Sequence, residues 1–238
     1  MKNVRAAELH GRLEGLALEK IDLRAVFEKN GRAVYISHLD LFRTMQRAIK
    51  RSKIPVWYSQ GFNPHIYLNF PLALSLGVAS KTEFMDFAVT EDVDYGRIRD
   101  MLNEKMPEGL SIISVGVPVH PNKDIGFAEY IIRLKSEAGA DKMLEELGKM
   151  MAMDVIEIDK RSKSKGTVKI DVKPHFDILK AYIDGDALAV SIRLPAGLSL
   201  NINSNVFVDT FSSISGISFN NVYAERTKIL LADGEKFA

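Results

Sequence analysis

The chain has 238 residues, 46% hydrophobic and 26% charged, a balance that excludes disordered, collagenous and coiled-coil classes and leaves room for two modules of roughly 100 residues each. It contains no cysteine, so disulfides, thiolate zinc sites, cysteine nucleophiles and clusters held by its own thiols are excluded, and a reducing, cytoplasmic setting is expected. Lys+Arg is 32 against Asp+Glu 31; any attraction for nucleic acid must come from local patches, and no apolar run approaches the ~20 residues of a membrane helix.

Residues 1–20 read as an amphipathic helix or leader, with Leu13, Leu16 and Ala17 on one side. Leu23 to Phe27 then reads as a strand, Asn30-Gly31 as a turn, and Ala33 to Ile36 as a short extended run. Ser37 with Asp40 three residues on is a capping-box variant. It opens a helix to about Lys53, where Pro55 forbids continuation. Strands follow at His65 to Leu72 and Phe84 to Val89, then a helix to about Met106 and a strand at Leu110 to Val117. The order βαββαβ is that of a ferredoxin-like split βαβ unit, whose helices cover one face of an antiparallel sheet.

Beyond the linker-like Pro118 to Gly126 a similar order recurs. Its parts are a strand Phe127 to Leu134, a helix Ala140 to Met151, a hairpin Val155 to Val172, a strand-like piece Asp177 to Ile183, a strand Leu188 to Leu194, a helix near Ser204 to Ile214 and a strand Phe219 to Leu231. The expected fold is therefore α+β, two ferredoxin-like modules in tandem, at residues 21–118 and 127–238. The repeat is one of element order, not of sequence.

The densest chemistry lies in Ser37 to His65, SHLDLFRTMQRAIKRSKIPVWYSQGFNPH. Phe42, Met45 and Ile49 define a buried helical face, and Arg43, Arg47, Lys50 and Arg51 a cationic stripe on another. That stripe suits a phosphate track, or equally a solvated face paired with nearby acids. His38 falls at the first helical position, where the macrodipole favours a neutral imidazole able to accept a proton; helix capping alone accounts for Ser37 and Asp40. Fifteen helical residues span about 22 Å at 1.5 Å each, and Ile54 to Gln60, if extended, climbs back about 23 Å. On those lengths Gly61, Asn63 and His65 return to the end of the helix that carries His38, Asp40 and Arg43. The resulting polar pocket would have Tyr35, Trp57, Tyr58 and Phe62 as flat walls, unless Trp57 and Phe62 simply pack under the sheet. His38 and His65 are the candidates for any catalysis. No metal-ligand spacing is visible, since His38 and Asp40 point to different helix faces. In the second half Lys160, Arg161, Lys163 and Lys165 crowd a hairpin tip, a cationic finger for phosphates or a solubilising turn. No Walker loop, dinucleotide fingerprint or nucleophile elbow appears, and no cofactor of its own is expected.

The SHLD, RT, P and GFNPH elements of Ser37 to His65, and Gly77, Ser80, Glu83 and Asp86 in PLALSLGVASKTEFMDF, resemble the radical-SAM-linked proteins, a domain of unknown function encoded beside or fused to a radical SAM enzyme. Ile66 departs from the pattern, standing where that family has a second proline, and residues 1–20 have no counterpart in it. The resemblance implies a radical SAM partner that supplies the cluster chemistry, and a genomic neighbourhood rich in ribonuclease and ribosomal-protein genes, hence an RNA-related role. Three readings follow: a non-catalytic module presenting structured RNA to that partner; a metal-independent RNA endonuclease similar to the CRISPR repeat-processing enzymes, using a histidine; or a scaffold binding a small acidic molecule or a protein. Against the endonuclease, Ser215-Gly216-Ile217 is too sparse for the glycine-rich loop of those enzymes.

Overall fold

A computed structural model describes residues 20–162, 166–198 and 200–237. Among the described residues it is a mixed α+β fold with a large, mostly antiparallel sheet and four α-helices. In chain order the elements are β1 (Ile21–Lys29), α1 (His38–Ser52), β2 (Leu68–Asn69), β3 (Val78–Val89), α2 (Tyr95–Asn103), β4 (Leu110–Gly116), β5 (Ile125–Lys135), α3 (Ala140–Met151), β6 (Glu157–Ser162), β7 (Gly166–Asp171), β8 (Asp177–Asp184), β9 (Ala187–Pro195), α4 (Ser204–Ser215) and β10 (Asn221–Leu231).

Two sheets were expected; the strands of both halves instead join one eight-stranded sheet, ordered β4-β1-β3-β10-β5-β9-β8 with β2 beside β3, while β6 and β7 form a separate hairpin. The cause is the length of β3. It starts at Val78 rather than Phe84, and the added residues Val78, Ala79 and Ser80 pair in parallel with Ala224, Glu225 and Arg226 of β10. Every other strand pairing among the described residues is antiparallel.

Local chemistry sets the remaining departures. Ala33 to Ile36 is not extended: Gly31 takes φ +52°, and residues Gly31–Tyr35 form a 3₁₀ turn closed by Ala33 and Ile36 amides. The strand expected over His65 to Leu72 shrinks to Leu68–Asn69, bracketed by Pro64 and Pro71, which have no N–H to give a ladder. Gly109, at φ +86°, accepts the Asn30 amide, and a Cβ there would lie 2.5 Å from the Asn30 carbonyl oxygen.

Two hydrophobic cores stabilise the sheet. Leu41, Met45 and Ile49 of α1 and Ile98 and Leu102 of α2 pack with Leu23, Ala25 and Phe27 of β1 and Met85 and Phe87 of β3. Met143, Leu147 and Met150 of α3 and Phe207 and Phe211 of α4 pack with the inner residues of β5, β9 and β10. Val78 and Phe84 of β3 belong to the second core, so the long strand serves both. Among the described residues no helix is long and apolar enough to cross a membrane.

Candidate functional site

Helix α1 forms as its sequence dictates. Ser37 caps it by accepting the Asp40 amide at 3.1 Å, and its hydroxyl donates to the Asp40 carboxylate at 2.8 Å, so the carboxylate grips the side chain of the cap rather than its backbone. At the far end Lys53 turns left-handed, φ 60°. The cationic stripe is realised: Arg43, Arg47, Lys50 and Arg51 are all exposed. Arg43 reaches Asp40 at only 3.5 Å and Arg51 donates to the Lys105 carbonyl at 3.2 Å. Arg47 and Lys50 have no hydrogen-bond or ion-pair partner among the described residues.

The two histidines have separate surroundings. The exposed His38 ring lies edge-on to Phe70, centroids 5.4 Å apart, and Phe70 in turn contacts Phe27 and Phe42. His65 closes the GFNPH turn on itself: its amide donates to the Ser59 hydroxyl at 3.1 Å, and Nδ1 lies 2.8 Å from that same oxygen and 3.2 Å from the Asn63 carbonyl. Bridges Tyr58–Ile66 and Ser59 amide to His65 carbonyl shut the base of this excursion. Gly61 supplies φ +128° at its tip, Asn63 keeps an ordinary φ, and Phe62 stands fully in solvent at 106% exposure rather than under the sheet. Among the described residues no hydrogen bond, ion pair or ring contact joins His38 to Asn63 or His65. The expected finger falls in part outside the described residues, at Lys163 and Lys165; Lys160 and Arg161 belong to β6.

Sequence reasoning missed a second, better-built place. Arg24 of β1, 4% exposed, points away from the α1 core and grips Asp86 of β3 through Nε at 2.7 Å and Nη2 at 3.1 Å. The register sets Arg24 opposite Asp86 on neighbouring strands. The same guanidinium donates to the His120 carbonyl at 3.0 Å and to Asn122 Oδ1 at 2.8 Å, pinning the segment after β4 onto the sheet. Phe237 stacks over it at 4.5 Å. The result is a cleft of about 540 Å³ walled by Asp22, Tyr67, Asp86 and the stretch Val117 to Asn122, a size typical of small-molecule sites.

A second buried charge cluster ties β3 to β10. Arg226 donates to both Glu83 oxygens at 3.1 and 3.2 Å, to the Leu72 carbonyl at 3.2 Å, to the Ala73 carbonyl at 2.9 Å and to the Tyr130 hydroxyl at 3.3 Å. Glu83 and Asp86, the acids of the resemblance, are therefore partners of two arginines remote in sequence. Among the described residues no group of three or more His, Asp or Glu side chains could hold a metal ion.

The sequence pattern of the family described as "Uncharacterized protein conserved in bacteria (DUF2344)" matches residues 22–204. The chain belongs to that family. The matched span of this DUF2344 protein holds α1, the GFNPH turn and the Arg24–Asp86 cleft, and stops short of Arg226. No curated protein matches it. Among solved structures it is similar to "Crystal Structure of a Cbf5-Nop10-Gar1 Complex", at 12% identity and TM-score 0.40, with 86% of this chain over 48% of that one. It is also similar to "Crystal Structure of an Unknown Protein from Galdieria sulphuraria", at 12% identity and TM-score 0.25, over 87% and 99% of the two chains. The DUF2344 protein spans about half of the first of these chains.

Proposed function

We propose that this DUF2344 protein is a non-catalytic recognition module that holds structured RNA for a radical SAM enzyme in the cytoplasm. One observation carries the reading: the α1 cations are exposed, and Arg47 and Lys50 have no acidic partner among the described residues. At 1.5 Å per residue Arg43 and Arg47 lie about 6.0 Å apart along the helix axis, and Arg47 and Lys50 about 4.5 Å, and charges so arranged attract a phosphate backbone without reading its bases. The radical SAM partner rests on the resemblance of the SHLD and GFNPH elements, and a chain without cysteine leaves cluster chemistry to another protein. We also read each half as one split βαβ unit, since β4-β1-β3-β2 and β10-β5-β9-β8 place the four strands of each in the same sequential order, fourth, first, third, second.

The test is binding of a labelled RNA hairpin across a salt series. The Arg43→Ala/Arg47→Ala variant should bind more weakly and lose about 2 from the slope of log affinity against log salt. Equal slopes for variant and parent would remove the phosphate track. Co-purification of the radical SAM protein encoded alongside, persisting after ribonuclease treatment, tests the partner separately.

A further inference from the structure

At the outer end of the Arg24–Asp86 cleft the chain seats one of its own ammonium groups. The Lys20 Nζ lies 4.3 Å above the centre of the Tyr67 ring, 5.5 Å from that of Trp57 and 2.7 Å from the Asp22 carboxylate. Two aromatic rings set edge to face, 6.5 Å apart, with one carboxylate beside them, form a recognition set for an organic cation: the rings supply quadrupole attraction and the carboxylate the charge. Asp22 stands on β1, and Trp57 and Tyr67 lie on irregular segments that run along β3. Asp22 pairs with Ala88 across β1 and β3, the Trp57 amide donates to the Ala88 carbonyl at 2.8 Å, and Tyr67 directly precedes the residue that pairs with Phe87. Three neighbouring segments thus hold the groups at one level of the sheet.

Asp22 and Tyr67 also wall the cleft. Within it the Arg24 charge is bound to Asp86, so the side chains Asp22, Arg24 and Asp86 sum to −1. Lys20, paired with Asp22, balances that charge; once Lys20 is displaced the remaining −1 favours a cation over an anion.

We propose that this place is a binding site for an alkylammonium ligand, which enters the Trp57–Tyr67–Asp22 seat by displacing Lys20 and extends along the cleft. The chemistry is shared by a free polyamine and by a lysine side chain of another polypeptide. The site is independent of the α1 phosphate track, because it uses none of the same residues.

Trp57 is the only tryptophan of the chain, so its fluorescence reports the seat directly. The Lys20→Ala variant is titrated with spermidine and, separately, with the peptide Ala-Lys-Ala, each against sodium chloride of equal ionic strength. A saturable change in Trp57 emission with either probe, half-complete at a concentration at least tenfold lower in Lys20→Ala than in the parent, is the expected result; the tighter probe identifies the source. Adding Tyr67→Leu to Lys20→Ala should weaken that binding by about 3- to 30-fold, and adding Asp22→Asn should weaken it as well. No saturable change with either probe in Lys20→Ala, or the same half-saturation in parent, Lys20→Ala and Lys20→Ala/Tyr67→Leu, overturns the proposal. Far-UV circular dichroism of the variants separates loss of the seat from loss of the fold.

Discussion

Lys29 closes β1 with 1% of its surface in solvent and its ammonium 3.3 Å from the Ile36 carbonyl. Burial pulls its pKa below the ordinary 10.5; the Glu83 charge opposes this and Arg226 reinforces it. A lysine that binds its proton less tightly when folded weakens the fold while charged. Stability should therefore rise as pH climbs from the lowered value towards 10.5. In Lys29→Met the Arg226–Glu83 pair keeps its charge balance, and the stem is replaced by an apolar chain of similar length. Urea denaturation near neutral pH and again near pH 10 should show a flatter pH dependence than the parent, with no loss of stability at neutral pH; a steeper dependence would contradict the placement of the charge. At this scale the sequence was legible where partners are close: Ser37 and Asp40, three apart, form the expected cap. Arg24 and Arg226 were not legible, since their carboxylates lie 62 and 143 residues away and only strand register brings them together.

Among the described elements, helices are the most legible, because caps, prolines and a 3.6-residue period mark them locally; α3 spans the expected Ala140 to Met151, while the helix expected over residues 1–20 lies, but for Lys20, outside the described residues. Strands fared unevenly. The start of β3, Val78 to Ser80, pairs with β10, a partner more than 140 residues on, and Ser80 also pairs with Lys29 of β1. Ion pairs across strands show the same dependence on register. Glu129 of β5 sits opposite Arg193 of β9 and receives Nη2 at 2.8 Å, and Lys228 of β10 reaches it at 2.7 Å from the other side. Burial pushes the Glu129 carboxyl up, but the hydrogen bonds and charges of Lys228 and Arg193 outweigh it and hold the pKa below the ordinary 4.5. A carboxylate that loses its proton more readily when folded stabilises above about 4.5, and this is lost as pH falls through the folded value. Both cations are partly in solvent, which screens the pair. Glu129→Gln should cost about 1 kcal/mol at neutral pH and flatten the acid limb of the stability profile, measured by denaturation between about pH 3 and 7.

For the whole molecule, the decisive feature is how little backbone joins the two halves of the sheet: three register pairs between β3 and β10. Side chains supply the rest of the joint. Arg226 and Glu83 are both 2% exposed, and the guanidinium also holds the Leu72 and Ala73 carbonyls of the segment before β3. Removing one member of a buried, hydrogen-bonded pair leaves the other uncompensated, at a cost of about 3–5 kcal/mol. Arg226→Met should show that loss, and Arg226→Met/Glu83→Leu should recover part of it, because no buried carboxylate is then left without its guanidinium. The sole tryptophan, Trp57, lies beside β3 in the first half of the molecule, whereas far-UV circular dichroism reports helices and strands of both halves. In the parent the two signals should fall together on denaturation, as one cooperative unit requires. In Arg226→Met they should separate, since the half without Trp57 is no longer tied to the half that carries it. Coincident transitions at unchanged midpoint in the variant would show that the three backbone pairs and the shared Phe84 and Val78 packing suffice to hold the sheet as one body.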